Sequence, residues 1–429
     1  MGSQSGPTST KEKKGTDLET WKRASIANVP MEILEHVFTF LPREDRLRAM
    51  SVCTSWQSLL LSSQKVWHNQ EFILKCTLEK NKKKKAELLY CFQNFGPHCQ
   101  ALSVKCRHPV QHSCKKMANQ FNLFLKGLRM PELTSIKVYD VQMERSSKLV
   151  IKNICTTLTK MFAGQPPLKV FEMPSAHWPV NEGVEVLETV FQKSRNTLET
   201  LNIADYFWYF FDHDWLTTEV LTLNRLKKLS INLLHLTDES IVSLARARRG
   251  ELTYLSLFIN YVSQFTPRIR QETWIYLVEA CPNLEVEFRI AGTVYKPSEN
   301  IPAILDSVLP VCRLKIEIIE ILRFQLQRPG YKMNIVFDHI RENFGQRIRS
   351  LKLSIPNNKE YFDQALVKLV RSCPRLLHVK VSASFRSERT AQKIDKIIAE
   401  RRQPPPTSKG RRSKKVCTES HAVGNASLA

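Results

Sequence analysis

The stretch LTYLSLFIN, residues 252–260, carries a pattern that recurs along most of this 429-residue chain. Leu255 and Leu257 stand at alternate positions, as expected for a half-buried β-strand. Eight further segments end in the same alternation, at residues 133–138, 168–173, 198–203, 226–231, 284–290, 313–318, 348–353 and 376–381. Successive segments start 26 to 35 residues apart, which indicates a repeated unit.

Helical patterns fill the intervals between these strand-like segments. Val150, Ile154, Leu158 and Met161 recur with helical spacing and make one apolar stripe. Residues 184–191, 362–370 and 391–398 show the same spacing. A doubly wound nucleotide-binding sheet also alternates strands with helices, but it usually carries a glycine-rich phosphate loop. This chain has 13 glycines and neither GxGxxG nor GxxxxGK[ST]. One strand and one helix in roughly every 30 residues, about nine times over, therefore predicts a solenoid.

The repeat resembles the leucine-rich repeat. Leu252, Leu255, Leu257 and Asn260 match its L-x-x-L-x-L-x-x-N pattern in full, whereas other segments match only its core and residues 284–290 depart from it. The resemblance implies an α/β horseshoe of degenerate repeats over residues 98–399. Its curvature does not follow from the sequence.

The stretch VPMEILEHVFTFLPREDR, residues 29–46, has a different character. It predicts a helix of about three turns that is ended by Pro42. The helix carries one apolar face, made by Pro30, Ile33, Leu34, Val37, Phe38 and Leu41. A second stripe runs from Ala49 to Leu60 and includes Val52 and Trp56. So short a segment builds little core alone, so its apolar face either docks on the repeats or binds a partner.

The order of residues in this segment resembles the F-box. The matching positions are Pro30, Glu32, Ile33, Leu34, Val37, Phe38, Leu41, Asp45, Val52, Cys53, Trp56 and Trp67. Val29 replaces the usual leucine, and Arg46-Leu47 shifts the leucine after the aspartate by one position.

The F-box resemblance implies a three-helix module, predicted over residues 25–70. It would bind a Skp1-type adaptor and, through it, a cullin–RING scaffold. The protein would then be the substrate-recognition subunit of an SCF-type E3 ubiquitin ligase, with no catalytic activity of its own. The residues predicted to contact the adaptor are Pro30, Ile33, Leu34, Val37, Phe38, Leu41, Val52 and Trp56.

A substrate-binding site is predicted in DYFWYFFDHDW, residues 205–215, which follows the strand-like segment 198–203. The rims of solenoids bind partners, and clustered aromatic residues make strong binding sites. The candidate residues are Tyr206, Trp208, Tyr209, Phe211 and Trp215. An aromatic plug that covers the core between repeats is the alternative, and we favour it slightly.

The net charge of +23 is concentrated in a few segments. We expect disordered tails at residues 1–24 and 400–429 and a basic helical linker at 71–97. The stretch Arg401–Lys415 holds seven cations and no acid. A solvated tail and a nuclear-import signal are both open readings of it. Nucleic-acid binding is less favoured because the basic runs lack interleaved aromatic residues. A repeat scaffold outside any ligase is a further alternative function.

Several classes of protein are disfavoured by the sequence. No apolar run approaches a membrane span, and we expect no secretion signal. The eleven cysteines include no CxxC pair, which predicts reduced thiols in the cytoplasm or the nucleus. The order of cysteines and histidines in CRHPVQHSC, residues 106–114, is not a common zinc spacing. No catalytic motif is present, so we expect no enzyme activity, no metal and no cofactor.

Overall fold

The computed structural model describes residues 29–75, 82–107, 114–144, 146–208, 214–263, 266, 268–319, 331–356 and 360–402. Within them the chain forms eleven β-strands. These are β1 (Asn69–Lys75), β2 (Ala101–Arg107), β3 (Ser135–Tyr139), β4 (Val170–Glu172), β5 (Thr200–Asn202), β6 (Lys228–Asn232), β7 (Tyr254–Val262), β8 (Glu285–Val294), β9 (Val311–Ile318), β10 (Ser350–Ser354) and β11 (His378–Ser382).

Four helices precede the first strand: α1 (Met31–Phe40), α2 (Arg43–Ala49), α3 (Thr54–Ser62) and the short α4 (Gln64–Trp67). The other helices of the described residues lie between or after the strands. They are α5 (Lys82–Phe95), α6 (Cys114–Gly127), α7 (Lys148–Gly164), α8 (Val180–Ser194), α9 (Asp214–Leu221), α10 (Asp238–Ala247), α11 (Gln271–Ala280), α12 (Pro297–Ile304), α13 (Met333–Phe344), α14 (Asp363–Ser372) and α15 (Arg389–Arg402).

The eleven described strands form one parallel sheet in which each strand pairs with the next along the chain, from β1 to β11. A doubly wound sheet would reverse its strand order at one point, and this sheet does not. The predicted α/β solenoid is therefore confirmed, and all nine predicted strands are present. The horseshoe curvature stays a prediction.

The core lies between the sheet and the helices. In β8, β9 and β10 buried residues largely alternate with more exposed ones, so one face of these strands packs on the helices and the other is open. In β6 and β7 four or more consecutive residues are buried. One continuous apolar cluster runs from Phe72 in β1 to Ile398 in α15. The first leucine of the pattern is buried in most repeats, as at Leu252 and Leu376.

Strands β1 and β2 lie outside the predicted set. Strand β1 falls where the sequence predicts a helical linker, although α5 does follow it. Cys99 takes the place of the first leucine before β2 and is fully buried, so the repeat is present with a smaller side chain. The sheet therefore begins at Asn69, N-terminal to the predicted residue 98. The rest of the predicted domain division stays a prediction.

The two chain ends fall mostly outside the described residues. The predicted tail at 1–24 does so entirely, and the predicted tail at 400–429 does so from residue 403. Helix α15 continues to Arg402, where the sequence predicts that the tail has begun. The Arg401 guanidinium donates to the carbonyl oxygens of Leu376 and Val370, at 3.1 and 2.6 Å. These bonds hold the helix end on the last repeat.

Candidate functional site

The N-terminal helices close a small core of their own. Its buried members on those helices and the turns between them are Leu34, Phe38, Ala49, Met50, Leu60, Val66 and Trp67. Cys91 and Phe95 of α5 complete the same cluster. The Trp67 ring stacks on the Phe95 ring, with centroids 3.8 Å apart. The helical segment is thus docked on the first repeat, so part of its apolar surface is buried within this chain.

A cation reinforces this junction. The Arg43 guanidinium lies 4.5 Å from the centre of the Phe72 ring of β1, and one of its nitrogens is 4.0 Å from a carboxylate oxygen of Glu87. Stacking of a guanidinium on an aromatic ring is favourable when water is partly excluded. The junction therefore combines aromatic packing with a half-buried charge.

Arg46 satisfies carbonyl groups at the C-terminal end of α1, just before Pro42. The last carbonyl groups of a helix lack intrahelical partners. Arg46 donates to the carbonyl oxygens of Phe38 and Thr39 in that last turn, at 3.0 and 2.9 Å. It also donates to those of Leu41, at 2.9 Å, and Val66. Burial lowers the pKa of this guanidinium from its usual value.

One face of α1 remains uncovered. Ile33, Val37 and Phe40 are 54%, 46% and 74% exposed, and their spacing of four and three residues places them in one stripe. Pro30 at the helix start is exposed too, and Val52 after α2 is 62% exposed. An apolar stripe beside an already closed core is typical of a surface that binds another protein.

Residues 26–72 match the family model described as F-box-like. Residues 26–72 form an F-box-like domain. Its described part, from residue 29, spans α1 to α4 and the first residues of β1. The exposed stripe on α1 is therefore a feature of the F-box-like domain, and the stacking of Trp67 on Phe95 joins that domain to the repeats.

Two solved structures are similar to this chain. One is the leucine-rich repeat-containing protein LegL7 from Legionella pneumophila, with 10% identity, a TM-score of 0.35, and coverage of 77% of this chain and 98% of that one. The other is TLR13 in its complex with ssRNA13, with 13% identity, a TM-score of 0.26, and coverage of 70% and 45%. Both scores are below 0.5, so the fold rests on the strand order and pairing described above.

The structure divides the predicted adaptor contacts into two groups. Pro30, Ile33, Val37 and Val52 are exposed. Leu34 and Phe38 are 4% and 2% exposed and belong to the core of the F-box-like domain, so their assignment as contact residues stays a prediction that their burial does not support. Periodicity gave one apolar face, but helix α1 has two. Leu41 and Trp56 are half-buried and pack against the same core.

Phe40 is the exposed residue that the sequence prediction missed. It is the most exposed large apolar residue among those described, and its ring packs edge-on against His36 at 4.9 Å. Its spacing from Ile33 and Val37 is seven and three residues, which is a helical spacing. That spacing could have placed Phe40 on the same exposed stripe from the sequence alone. Phe40 falls outside the matched F-box positions, however.

The described residues of the predicted aromatic substrate site differ in their burial. Tyr206 is buried, and its hydroxyl donates to the carbonyl oxygen of Gly183 at 3.2 Å, which agrees with the plug alternative for this residue. Trp215 is half-buried and stacks on Phe191, which agrees with the plug alternative for this residue. Trp208 is 44% exposed and remains a candidate. Tyr209 and Phe211 lie outside the described residues.

His177 links the loops that carry Glu144 and Asp205, and we call these three residues the histidine clamp. The His177 ring nitrogens lie 2.8 Å from carboxylate oxygens of Glu144 and Asp205, and Asn260 donates to the other Asp205 oxygen at 3.2 Å. Burial alone would lower the pKa of His177, but the two carboxylates outweigh it and raise the pKa to about 10. The clamp therefore holds an imidazolium between two anions at neutral pH.

The described residues show no cluster of metal ligands. They contain no group of three or more His, Cys, Asp or Glu side chains placed to hold a metal ion. Burial raises the pKa of the Cys91 thiol to about 11 and that of the Cys99 thiol to about 12, which leaves these thiols unreactive. No helix in the described ranges is long and apolar enough to cross a membrane.

Proposed function

We propose that this chain is the substrate-recognition subunit of an SCF-type E3 ubiquitin ligase. Its F-box-like domain binds a Skp1-type adaptor through Pro30, Ile33, Val37, Phe40 and Val52. The adaptor connects the chain to a cullin–RING scaffold, and the repeats hold the protein to be ubiquitinated. The chain itself performs no covalent chemistry. It raises the effective concentration of the substrate near the ubiquitin-charged enzyme.

One observation carries this proposal: the F-box-like domain keeps an exposed apolar stripe although its own core is closed. Leu34 and Phe38 already fill the space between α1 and the rest of the domain. Ile33, Val37 and Phe40 do not belong to that core, and they are 54%, 46% and 74% exposed. Burying the exposed part of these three side chains against a partner would contribute roughly 1–2 kcal/mol for each.

The fixed attachment of the domain supports the same role. Trp67 and Phe95 stack across the junction, and Arg43 of α2 lies over the Phe72 ring of β1. A receptor must hold its substrate at a defined distance from the adaptor, because effective concentration falls when the connection is loose. A junction with a shared core meets this requirement better than a flexible linker does.

Reconstitution from purified proteins tests the proposal. The full chain is mixed with Skp1 and analysed by size-exclusion chromatography, and cullin–RING is then added. We expect a stoichiometric complex with Skp1 that recruits cullin–RING. A wild-type chain that is folded and yet elutes apart from Skp1 would contradict the proposal and would favour a repeat scaffold outside the ligase.

A pair of charge substitutions makes the same experiment specific to the stripe. Ile33→Asp with Val37→Asp should abolish co-elution while leaving the circular dichroism spectrum unchanged. The matched control is Leu149→Asp with Ile335→Asp, since these residues are 69% and 47% exposed on helices of the repeats. Loss of binding in the control variant as well would point to general destabilisation.

The location of the protein in the cell and its binding of nucleic acids are also proposals. We propose a cytoplasmic or nuclear location, on the basis of the cysteine usage of the chain. Nucleic-acid binding through the basic C-terminal segment is the less favoured function. Deleting residues 403–415 and titrating RNA at several salt concentrations tests it, because phosphate contacts give a steep salt dependence.

A further inference from the structure

A row of basic side chains crosses the C-terminal part of the sheet. Strand pairing sets Arg289 of β8 opposite Lys315 of β9, Lys315 opposite Lys352 of β10, and Lys352 opposite Lys380 of β11. Neighbouring strands lie roughly 4.8 Å apart, so four cations follow one another across four strands. We call these four residues the basic row.

The basic row lies on the open face of the sheet. In β8, β9 and β10 the residues on either side of each row member are buried, as Leu351 and Leu353 are beside Lys352. Successive side chains of a strand point to opposite faces. The buried neighbours pack on the helices, so the row faces the opposite side, which the helices leave uncovered.

Neutralisation of this charge is uneven along the row. A nitrogen of Arg289 lies 3.9 Å from a carboxylate oxygen of Glu287, and the Lys315 ammonium lies 2.7 Å from Glu317. Among the described residues, no carboxylate oxygen lies within 4.0 Å of the ammonium groups of Lys352 or Lys380. Like charges directly opposite each other destabilise a sheet. The last two positions of the row therefore carry an unfavourable arrangement that the fold does not need.

At the other end of the open face, two cations in the middle of their strands are paired with acids. Lys105 of β2 lies 2.8 Å from a carboxylate oxygen of Glu71, and Lys137 of β3 lies 2.9 Å from one of Glu172. These pairs join neighbouring strands. Among the described residues, Lys75 and Arg107, which lie opposite each other at the ends of β1 and β2, have no carboxylate oxygen within 4.0 Å. The contrast with Lys352 and Lys380 therefore concerns the middle of the strands.

The C-terminal segment of the chain itself does not fit this surface. Residues 403–429 contain five lysine or arginine residues, which are Lys409, Arg411, Arg412, Lys414 and Lys415, against the single acid Glu419. A basic segment is repelled by a basic row, so charge complementarity calls for another molecule.

We propose that the basic row binds an acidic segment, rich in Asp and Glu, of a partner protein. Single ammonium charges in a line match carboxylates presented one by one along an extended chain. A phosphate group would be better served by the planar fork of arginine, and only Arg289 provides one. A nucleic acid would be expected to meet exposed aromatic residues, but the row's aromatic neighbour Phe258 is buried. This inference rests on the proposed function in one respect, namely that the partner is the protein to be ubiquitinated.

Fluorescence anisotropy with the full chain tests the proposal. The probe is a labelled 12-residue peptide in which Glu alternates with Ser, and Gln replaces Glu in the neutral comparison peptide. We expect the acidic peptide alone to bind at low salt. Lys352→Glu with Lys380→Glu should raise its Kd at least about tenfold, because two attractions become two repulsions. Added salt should weaken the wild-type interaction.

The control variant is Lys152→Glu with Lys160→Glu, which makes the same charge change on the exposed face of α7. It should keep wild-type affinity, and the basic C-terminal segment is identical in both variants. Equal losses in both variants, no binding of the acidic peptide, or tighter binding of a singly phosphorylated peptide or of single-stranded RNA would each overturn the proposal. Skp1 binding is measured separately with the same proteins, so failure of the basic row is distinguishable from failure of the ligase function.

Discussion

Helices α1 and α14 are both ten residues long, but they differ in how many of their apolar side chains are buried. Helix α14 buries Leu366, Leu369 and Val370 and turns Lys368 and Arg371 to solvent. Helix α1 buries only two large apolar residues of its own and leaves four in contact with water: Met31, Ile33, Val37 and Phe40.

This difference separates residues that build the fold from residues that are free to bind. In α14 one stripe accounts for the apolar residues, as expected for a helix on the surface of a solenoid. In α1 the buried stripe of Leu34 and Phe38 closes the domain, and the second stripe has no partner in the described chain. The two stripes of α1 should therefore respond differently to substitution.

The largest effect is expected at the buried stripe. Phe38→Ala should destabilise the F-box-like domain by about 3–5 kcal/mol, because it leaves a cavity beside Trp56, whose ring centre is 5.1 Å away. Ile33→Ala should change the stability by less than about 0.5 kcal/mol. Hydrogen exchange of amides in residues 31–67 measures both. Equal destabilisation by the two substitutions would show that the two stripes are not distinct.

A smaller loss of stability is expected when Arg46, which binds the C-terminal end of α1, is replaced. Arg46→Met should cost about 1–3 kcal/mol, because the carbonyl oxygens of Thr39, Leu41 and Val66 lose their side-chain donor. The control is Arg48→Met, since the Arg48 side chain is 78% exposed and pairs only with Asp45 among the described residues. Urea unfolding of both variants should show a loss at position 46 alone.

The smallest effect is expected in the repeats and depends on pH. His177→Gln should cost on the order of 1 kcal/mol at pH 6. The folded-state pKa of His177 is raised from 6.5 to about 10, so its contribution is fully present below pH 6.5 and is lost as the pH rises to about 10.

Thermal melting at several pH values measures this effect. The stability difference between wild type and His177→Gln should shrink between pH 6.5 and pH 10. A difference that stays constant over this range would mean that the clamp does not depend on the imidazolium.

The repeat architecture was predictable because each strand repeats one spacing. Apolar residues at alternate positions near the end of each segment identify nine strands without any knowledge of their packing. Strands β1 and β2 were not predicted because other residues, such as Cys99, take the leucine positions of the pattern there. The departure at residues 284–290 coincides with register shifts of β8 against both neighbours, at Ile259/Tyr261 and at Val286/Glu287.

The candidate sites were harder to predict than the fold. Periodicity shows which residues share a helix face, but it does not show which of two adjacent faces the core takes. Leu34 and Phe38 were therefore grouped with Ile33 and Val37. The basic row depends on strand register, which brings Lys315, Lys352 and Lys380 together from segments 28 or more residues apart. No local pattern reveals that arrangement.

Calorimetric titration of Skp1 into the 429-residue chain tests whether the exposed stripe of α1 binds the adaptor. We expect binding by the wild type and by Leu149→Asp with Ile335→Asp. Ile33→Asp with Val37→Asp should raise the Kd at least about a hundredfold, because two central apolar contacts are lost. Wild-type affinity in that variant, with its fold intact, would contradict the claim that the exposed stripe of α1 is the adaptor-binding surface.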